Sequence, residues 1–447
     1  MPVRRAVLLS GSLGLGHEML VRSCSSLLEK SGWEVRSFDC MDLLGRRLGS
    51  VGQRVFTRLV SAAPGLYDGL HFAHLRTGSR FACRMDRSAT SHLVPALRDL
   101  FGHTPPDLVL SVFATGASAA AALRRHGELR AKTVVLCTDV TLHRLWVAEG
   151  TDLFLATSPA AAASVLRYLP TAQVDVVPPP VRAAFYDAPS KDKARADLGL
   201  PGDRPCVLVI DSGWGFGPLV ESVAAMARSG IEVLAVAGRQ SGIEARFRNL
   251  SARDPRVHPF GFVDDVPRLM AAADVVIAMP GATTCAEAHV VGRPLLLLDV
   301  MPGHGRENVL HELELGGALV SGTGPDDVVA SIRALLDRNR FDGNGRAEVP
   351  RWEPAFVAAL RRIDVDLHPD DEQDEGAGGH ASAHLRPAAP LAGYERSSPV
   401  VRPATRTMAG ARNGARLRIE EKGQKTTGLI PKATKRTGGR RPTERDR

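Results

Sequence analysis

The chain has 447 residues, of which 44% are hydrophobic and 24% are charged, as in ordinary water-soluble globular proteins. This length allows two or three domains, each with its own core. No apolar run reaches the roughly 20 residues of a bilayer-spanning helix, which argues against an integral membrane protein. The six cysteines are far apart and form no C-x-x-C pair, so we expect reduced thiols in a cytoplasmic protein, with neither a zinc site nor a disulfide framework.

The formal net charge of +8 comes from the end of the chain. Residues 401–447 contain 14 Lys or Arg and 4 Asp or Glu, whereas the preceding residues have a net charge of −2. A basic tail can contact anionic lipid or nucleic acid, or can simply be solvated. At the other end, Arg4 and Arg5 precede an apolar stretch at residues 6–9. This stretch is too short for the h-region of a signal peptide, so we interpret it as a first buried strand.

Short apolar or β-branched runs alternate with helical stretches in the first half of the chain. Such runs are typical of a parallel sheet that is covered by helices on both faces. Three consecutive prolines at residues 178–180 then interrupt regular structure and end a first domain, residues 1–180. The strands predicted for this domain are residues 3–9, 34–39, 108–112, 133–138, 153–156 and 174–177.

A second βα series predicts a second domain, residues 181–363. Two such series joined by a proline segment predict an α/β protein of two doubly wound domains with a cleft between them. The predicted strands are residues 207–210, 231–237, 257–259, 275–278 and 295–298, and the predicted helices are 219–229, 243–251, 266–273, 284–291 and 354–363. Residues 364–447 form an acidic and then basic tail that we expect to be disordered, because it cannot bury enough apolar surface.

A glycine-rich segment, GSLGLGH at residues 11–17, follows the first predicted strand. Glycines let a ligand approach the backbone closely, and the next helix points its N–H groups and positive dipole end at the loop. The spacing departs from the G-x-G-x-x-G of dinucleotide-binding domains. On this segment alone, a locally hydrogen-bonded residue at a helix start is the favoured interpretation of His17.

Two further glycine-containing turns lie in the second domain. DSGWGFGP, residues 211–218, can be a tight turn or a loop over a phosphate or sugar. AMPGATTCAEA, residues 278–288, ends a strand and starts a helix near Thr283, where free N–H groups and hydroxyls suit a diphosphate. Glu287 lies one helical turn farther, so its carboxylate can accept both ribose hydroxyls. The alternative is a capped helix with an exposed Glu.

Residues 261–318, which include the last of these turns, resemble the donor-binding half of glycosyltransferase family 28, and most closely the monogalactosyldiacylglycerol synthases. Four other segments extend the resemblance over residues 1–340, in the order found in the family. They are GLGH at residues 14–17, TDVTLHRLW at 138–146, GWGFGP at 213–218 and VAGRQ at 236–240.

The resemblance implies a GT-B fold, in which two Rossmann-like domains face a central cleft. It implies an inverting transferase, with no metal ion or other cofactor, that moves a hexose from a UDP-sugar to a hydroxyl acceptor such as the lipid diacylglycerol. His17 would face the anomeric carbon as the leading candidate base, and Asp139 would orient His17 or be the base itself. The residues implied in donor binding are Gly14, Gly16, Gly213, Gly215, Gly238, Arg239, Phe262, Val263, Gly281, Ala282, Thr283, Thr284, Glu287, His304, Glu307 and Asn308.

The chain departs from the family where relatives carry a Gln, often followed by Glu or Gln, that reads the sugar hydroxyls. His304 and Gly305 stand at this place, so galactose specificity cannot be carried over. Our hypothesis is that Glu307, which is shifted by two positions, supplies the missing carboxylate.

Residues 44–87 mix arginines with large apolar side chains. Such a basic amphipathic segment either lies on an anionic membrane surface or forms core helices with solvated arginines. Because this part of the relatives meets the lipid acceptor, the resemblance favours peripheral association with the inner face of the cell membrane. Two other functions stay open on the same fold, a UDP-sugar 2-epimerase and a non-catalytic UDP-sugar-binding protein. A nucleic-acid-binding role would rest on the tail alone and is disfavoured.

Overall fold

The structure, a computed structural model, describes residues 3–11, 15–45, 49, 54–55, 58–60, 63–211, 219–298, 302–322, 324–341 and 349–367. Within these ranges the chain forms two six-stranded sheets, each with parallel strands and helices on both faces. The predicted α/β class with two doubly wound sheets is therefore confirmed.

The first sheet contains all the strands predicted for the first domain, with ends that differ by a residue or two. The strands are β1 (Arg5–Ser10), β2 (Glu34–Asp39), β3 (Leu108–Ser111), β4 (Lys132–Cys137), β5 (Leu153–Ala156) and β6 (Val174–Val176), in the spatial order β2-β1-β3-β4-β5-β6. The α-helices are α1 (Leu15–Lys30), α2 (Cys40–Leu43), α3 (Pro64–Leu70), α4 (Arg80–His103), α5 (Ala114–Arg125) and α6 (Pro159–Tyr168). A π-helical turn, His71–Leu75, follows α3, and a 3-10 turn, Arg144–Trp146, follows β4.

The second sheet contains the strands predicted for the second domain and one more. They are β7 (Cys206–Ile210), β8 (Glu232–Val236), β9 (Val257–Phe260), β10 (Val275–Ala278), β11 (Leu295–Leu298) and β12 (Ala318–Ser321), in the order β12-β11-β10-β7-β8-β9. Short helices α7 (Ala183–Tyr186) and α8 (Lys191–Leu198) precede it. The other helices are α9 (Leu219–Arg228), α10 (Ser241–Ser251), α11 (Val266–Ala272), α12 (Ala282–Val291), α13 (His304–Leu315), α14 (Pro325–Phe341) and α15 (Glu353–Arg361).

The strand order reverses direction at one point in each sheet. In the first sheet β1 pairs with both β2 and β3, and in the second sheet β7 pairs with both β8 and β10. Doubly wound sheets bind ligands at the carboxyl ends of the strands where the order reverses. The start of α1 and the segments that follow β3 and β10 therefore lie at the places where a ligand is expected.

Helix α15 packs against the first sheet, although the sequence pattern assigns it to the second domain. Its buried side chains Phe356 and Leu360 share a core with Leu8 of β1 and Leu28 of α1. The buried side chains of residues 365 and 367 extend the same core beyond residue 364, where the tail was expected to begin. The chain therefore crosses back to the first domain after completing the second.

Two side-by-side segments make the crossings between the domains, and they are joined by polar contacts. The indole N–H of Trp352 donates to the Val181 carbonyl oxygen at 2.9 Å. The guanidinium of Arg351 forms an ion pair with Asp187 at 2.9 Å. The segments next to α7 and before α15 thus form a double connection between the two domains.

Replacement of Phe356 by alanine is expected to destabilise the protein by about 3–5 kcal/mol, because the fully buried ring contributes to the core of the first sheet. Chemical denaturation followed by circular dichroism measures this loss. Arg361→Ala, on the exposed side of the same helix, serves as the control and should change the free energy of unfolding by less than about 0.5 kcal/mol. Equal effects of the two substitutions would contradict the packing of α15.

Candidate active site

His17 lies in the first turn of α1, at the point where the order of the first sheet reverses. Its Nδ1 is 2.8 Å from the carbonyl oxygen of Val112, the residue that follows β3. Because a carbonyl oxygen only accepts, Nδ1 carries the proton and Nε2 has the free lone pair. The edge of the ring packs against Phe113, with 5.9 Å between centroids. The imidazole is thus held in one orientation, with one nitrogen available to accept a proton.

The pKa of His17 lies below its ordinary value. Burial is the main cause, the nearby His304 ring contributes, and the negative charge of Asp139 acts in the opposite direction. A neutral imidazole at physiological pH is the form that a general base requires. Asp139 follows β4, and its negative charge raises the pKa values of both His17 and His143.

The start of α12 faces the start of α1 across the two domains. Gly281 is the N-cap of α12, and the helix begins with Ala282, Thr283 and Thr284, all partly exposed. The N–H groups of such a first turn have no partner within the helix. A Cβ atom on Gly16 would lie only 3.2 Å from the Thr283 hydroxyl, so the missing side chain lets the two helix starts approach. Two positive dipole ends therefore converge on one place, which suits a diphosphate.

Glu287, the predicted ribose-binding residue, is buried, with 6% of its surface exposed. The alternative of an exposed Glu on a capped helix therefore does not describe this side chain. Burial raises its pKa to about 7, and the Arg182 guanidinium, 3.9 Å away, limits that rise. Arg182 follows the proline segment and also donates to the Asp264 carbonyl oxygen at 3.2 Å. Sequence reasoning missed Arg182, whose only signal is its position beside the interdomain connection.

The predicted donor-binding residue Arg239 forms an ion pair between the two domains. The Arg239 guanidinium donates to both carboxylate oxygens of Glu18, at 2.8 and 2.9 Å, and its carbon lies 4.8 Å from the centroid of the exposed Phe262 ring. The hydrogen bonds from Arg239 hold the pKa of Glu18 below its ordinary value. Gly238 has a φ of 59°, a left-handed conformation that favours glycine and turns the chain toward this pair. Val263, beside Phe262, is partly buried against the core of the second sheet.

The start of α13 supplies the remaining predicted donor-side residues. Asn308 is buried, and its Nδ2 donates to the Pro280 carbonyl oxygen at 2.8 Å, so it fixes the turn that opens α12. Glu307 contacts two side chains of the first domain, His71 at 3.2 Å and Arg76 at 3.1 Å. The His304 ring packs edge-on against Tyr67 with centroids 6.5 Å apart. Sequence reasoning missed His71 and Arg76, which lie in the segment assigned to the lipid surface.

Three predicted donor-site glycines, Gly14, Gly213 and Gly215, lie outside the described residues. Within the described ranges, no group of three or more His, Cys, Asp or Glu side chains has the arrangement of a metal site. The six cysteines are unbonded thiols, and five of them are buried.

Two known domains match the chain on either side of the interdomain connection. Residues 52–181 match monogalactosyldiacylglycerol (MGDG) synthase, and residues 217–319 match the glycosyltransferase family 28 C-terminal domain. The second half carries a glycosyltransferase family 28 domain. The match includes the turn at 281–284, Glu287 and Asn308, and it confirms the resemblance that the motifs predict.

Curated proteins similar to this chain include two that are named as enzymes of glycolipid synthesis. The processive diacylglycerol beta-glucosyltransferase of Bacillus licheniformis is 25% identical over 48% of this chain and 56% of that protein. The probable monogalactosyldiacylglycerol synthase 2 of Oryza sativa subsp. indica is 28% identical over 48% of this chain and 49% of that protein. The chain spans about half the length of the curated relatives it matches.

Solved glycosyltransferase structures share the two-sheet architecture. MurG of Acinetobacter baumannii has a TM-score of 0.51 at 15% identity, over 81% of this chain and 100% of that one. Os79 of O. sativa, in complex with U2F and trichothecene, has a TM-score of 0.52 at 13% identity, over 80% and 94%. The GT-B fold that the resemblance implies is thus confirmed.

Glu287→Gln is expected to stabilise the unliganded protein at about pH 8. The carboxylate has a pKa near 7 in the folded state and 4.5 as its ordinary value, so wild-type stability falls as the pH rises from about 4.5 to 7. The neutral glutamine avoids this loss, which is on the order of 1–3 kcal/mol. Urea denaturation between pH 4 and 9 measures the difference, with the exposed Glu314→Gln as control. A difference that does not depend on pH would contradict the assignment.

Proposed function

We propose that this protein is an inverting glycosyltransferase that moves a hexose from a UDP-sugar to a hydroxyl group of a lipid acceptor such as diacylglycerol. The main support for the proposal is that two helix starts converge between His17 and Glu287. They provide a diphosphate site, with a base on one side and a carboxylate that can accept the ribose hydroxyls on the other. The names of the matched relatives, a diacylglycerol glucosyltransferase and a monogalactosyldiacylglycerol synthase, support the choice of acceptor class.

In the proposed reaction, the Nε2 atom of His17 removes the proton of the acceptor hydroxyl. The acceptor oxygen bonds to the anomeric carbon while the bond from that carbon to the diphosphate oxygen breaks, and UDP leaves. Asp139 stabilises the imidazolium that forms, since its charge already raises the pKa of His17. The first-turn N–H groups of α12 and the hydroxyls of Thr283 and Thr284 stabilise the negative charge on the leaving UDP. We propose that these groups do so without a metal ion or other cofactor.

A mixed apolar and basic surface of the first domain is the proposed lipid-facing side. Leu66 and Phe72 are 65% and 41% exposed, and Phe81 and Met85 at the start of α4 are also exposed. Exposed arginines lie among them at positions 80, 84 and 87. Clustered apolar side chains and positive charges favour an anionic membrane surface. No described helix is both long enough and apolar enough to cross a bilayer. We therefore propose peripheral association with the cytoplasmic face of the membrane.

The first test is a panel of UDP-galactose, UDP-glucose and UDP-N-acetylglucosamine with a membrane lipid extract, read by mass spectrometry. The wild type should form a glycolipid and release UDP. His17→Ala should lower kcat by about 10²–10⁴, because the base is lost, while calorimetry shows UDP affinity nearly unchanged.

His103→Ala, at an exposed site on α4, is the control and should retain full activity. Normal turnover by His17→Ala would remove His17 from the mechanism. Conversion of the UDP-sugar to an epimer without any acceptor would replace the transferase proposal with the epimerase alternative.

Glu287→Ala is expected to weaken UDP binding by roughly 10- to 100-fold at about pH 8, where the wild-type carboxylate is ionised and accepts the ribose hydroxyls. Calorimetry with UDP and 2′-deoxy-UDP locates the lost contact, because the alanine variant should bind both ligands alike. Glu314→Ala, on the exposed side of α13, should leave UDP affinity unchanged. If Glu287→Ala still prefers UDP over its 2′-deoxy form, the ribose assignment fails.

A further inference from the structure

A set of polar contacts joins the first domain to the start of α13. We name this set the clamp; it consists of Asp68, His71 and Arg76 on the first domain and Gly303, Arg306 and Glu307 on the second. The N–H of Gly303 donates to Asp68 at 2.6 Å, and Arg306 forms an ion pair with the same carboxylate at 2.9 Å. His71 and Arg76 both contact Glu307.

The Glu307 carboxylate is held at both oxygens. His71 Nε2 donates to Oε2 at 3.2 Å, and Arg76 Nε lies 3.1 Å from Oε1. His71 is itself 1% exposed, and Arg76 is anchored by a second hydrogen bond, 2.6 Å long, to the Leu142 carbonyl oxygen. The carboxylate is therefore fixed in position and rotation by side chains that cannot easily move.

The charge of Glu307 is part of the same electrostatic neighbourhood as the proposed catalytic residues. Burial alone would raise its pKa, but the hydrogen bonds from His71 and Thr141 and the positive charge of Arg76 together outweigh burial, so the pKa lies below its ordinary value. Glu307 acts on the pKa of His143, on which Asp139 and His304 also act. His304 in turn acts on His17. Asn308, the next residue, holds the turn that opens α12, and the centroids of the His71 and His304 rings are 6.3 Å apart, so the ionised Glu307 carboxylate lies beside the proposed donor site.

We infer that His71 and Arg76 are positioning residues that hold Glu307 to accept a hydrogen bond from a hydroxyl of the donor sugar. This inference rests on the proposed function. A carboxylate has about four acceptor sites, so the contacts with His71, Arg76 and Thr141 still leave capacity for a sugar hydroxyl. Recognition of the sugar then depends on His71 and Arg76, whereas the proposed contacts of the diphosphate at the start of α12 and of the ribose at Glu287 do not involve these two side chains.

The contacts of Asp68 allow the positioning of Glu307 to be distinguished from the simple holding together of the two domains. Asp68, in α3, joins the first domain to the start of α13 through Gly303 and Arg306, without Arg76 or Glu307. Loss of Arg76 should therefore release Oε1 of the Glu307 carboxylate while the domains stay in contact.

The test is a double-mutant cycle on binding, with calorimetric Kd values for UDP and for the UDP-sugar that the wild type prefers. Arg76→Met and Glu307→Gln should each raise Kd for the UDP-sugar at least about tenfold, with Kd for UDP unchanged. The double variant should be no worse than the single ones, because both remove the same contact. His71→Asn, which keeps a donor group, should bind the sugar better than His71→Leu. Arg98→Gln, which breaks an exposed ion pair with Glu128, is the control and should bind both ligands as the wild type does.

Three results would overturn the inference. If Arg76→Met binds the UDP-sugar normally while Glu307→Gln does not, positioning fails and the proposed function stands. The clamp is only structural if both variants lose affinity for UDP and for the UDP-sugar equally. The same conclusion holds if the loss in free energy of unfolding equals the loss in free energy of binding. If the wild type binds UDP but binds no UDP-sugar more tightly than UDP, the sugar contact is absent. If the wild type does not bind UDP at all, the proposed function itself is refuted.

Discussion

The close approach of two helix starts is the constraint on which the site depends. Helix α1 begins at the reversal point of one sheet and α12 at that of the other, and they meet where Gly16 faces Thr283. A Cβ atom at position 16 would lie 3.2 Å from the Thr283 hydroxyl, which would have to shift to accommodate it. Because the partial charges of both helix ends act within about a turn of the terminus, a separation of a few ångströms would remove most of their joint effect.

Charged pairs across the cleft surround this meeting point. Glu18 with Arg239 and Glu307 with Arg76 each join the two domains, whereas Glu287 is opposed by Arg182 from the connection between them. Burying one member of such a pair alone would be strongly unfavourable, whereas a paired charge keeps most of its hydrogen bonds. The arrangement of charge therefore favours one relative placement of the domains more than apolar packing alone would.

Local patterns in the sequence predict the strands well, because a buried parallel strand is a short apolar run between polar turns. β12 was missed since its four residues directly follow two glycines and carry only a weak apolar pattern. The packing of α15 could not be predicted, because the amphipathic pattern of a helix shows that it has a buried face and not which sheet covers it. The turn before α12 and the buried Glu287 follow from a contiguous motif. Arg182, His71 and Arg76 do not, because each acts on a residue more than a hundred positions away in the chain.

The paired crossings before α7 and α15 have a mechanical consequence. A single connecting segment would let one domain swivel about its own axis, whereas two linked segments resist twisting and leave bending as the soft motion. The bond from Trp352 to Val181 ties them at a fixed spacing. Any change in the angle between the domains would therefore have to bend both segments together. Arg182 directly follows Val181, so the same connection that ties the domains also carries the guanidinium that faces Glu287.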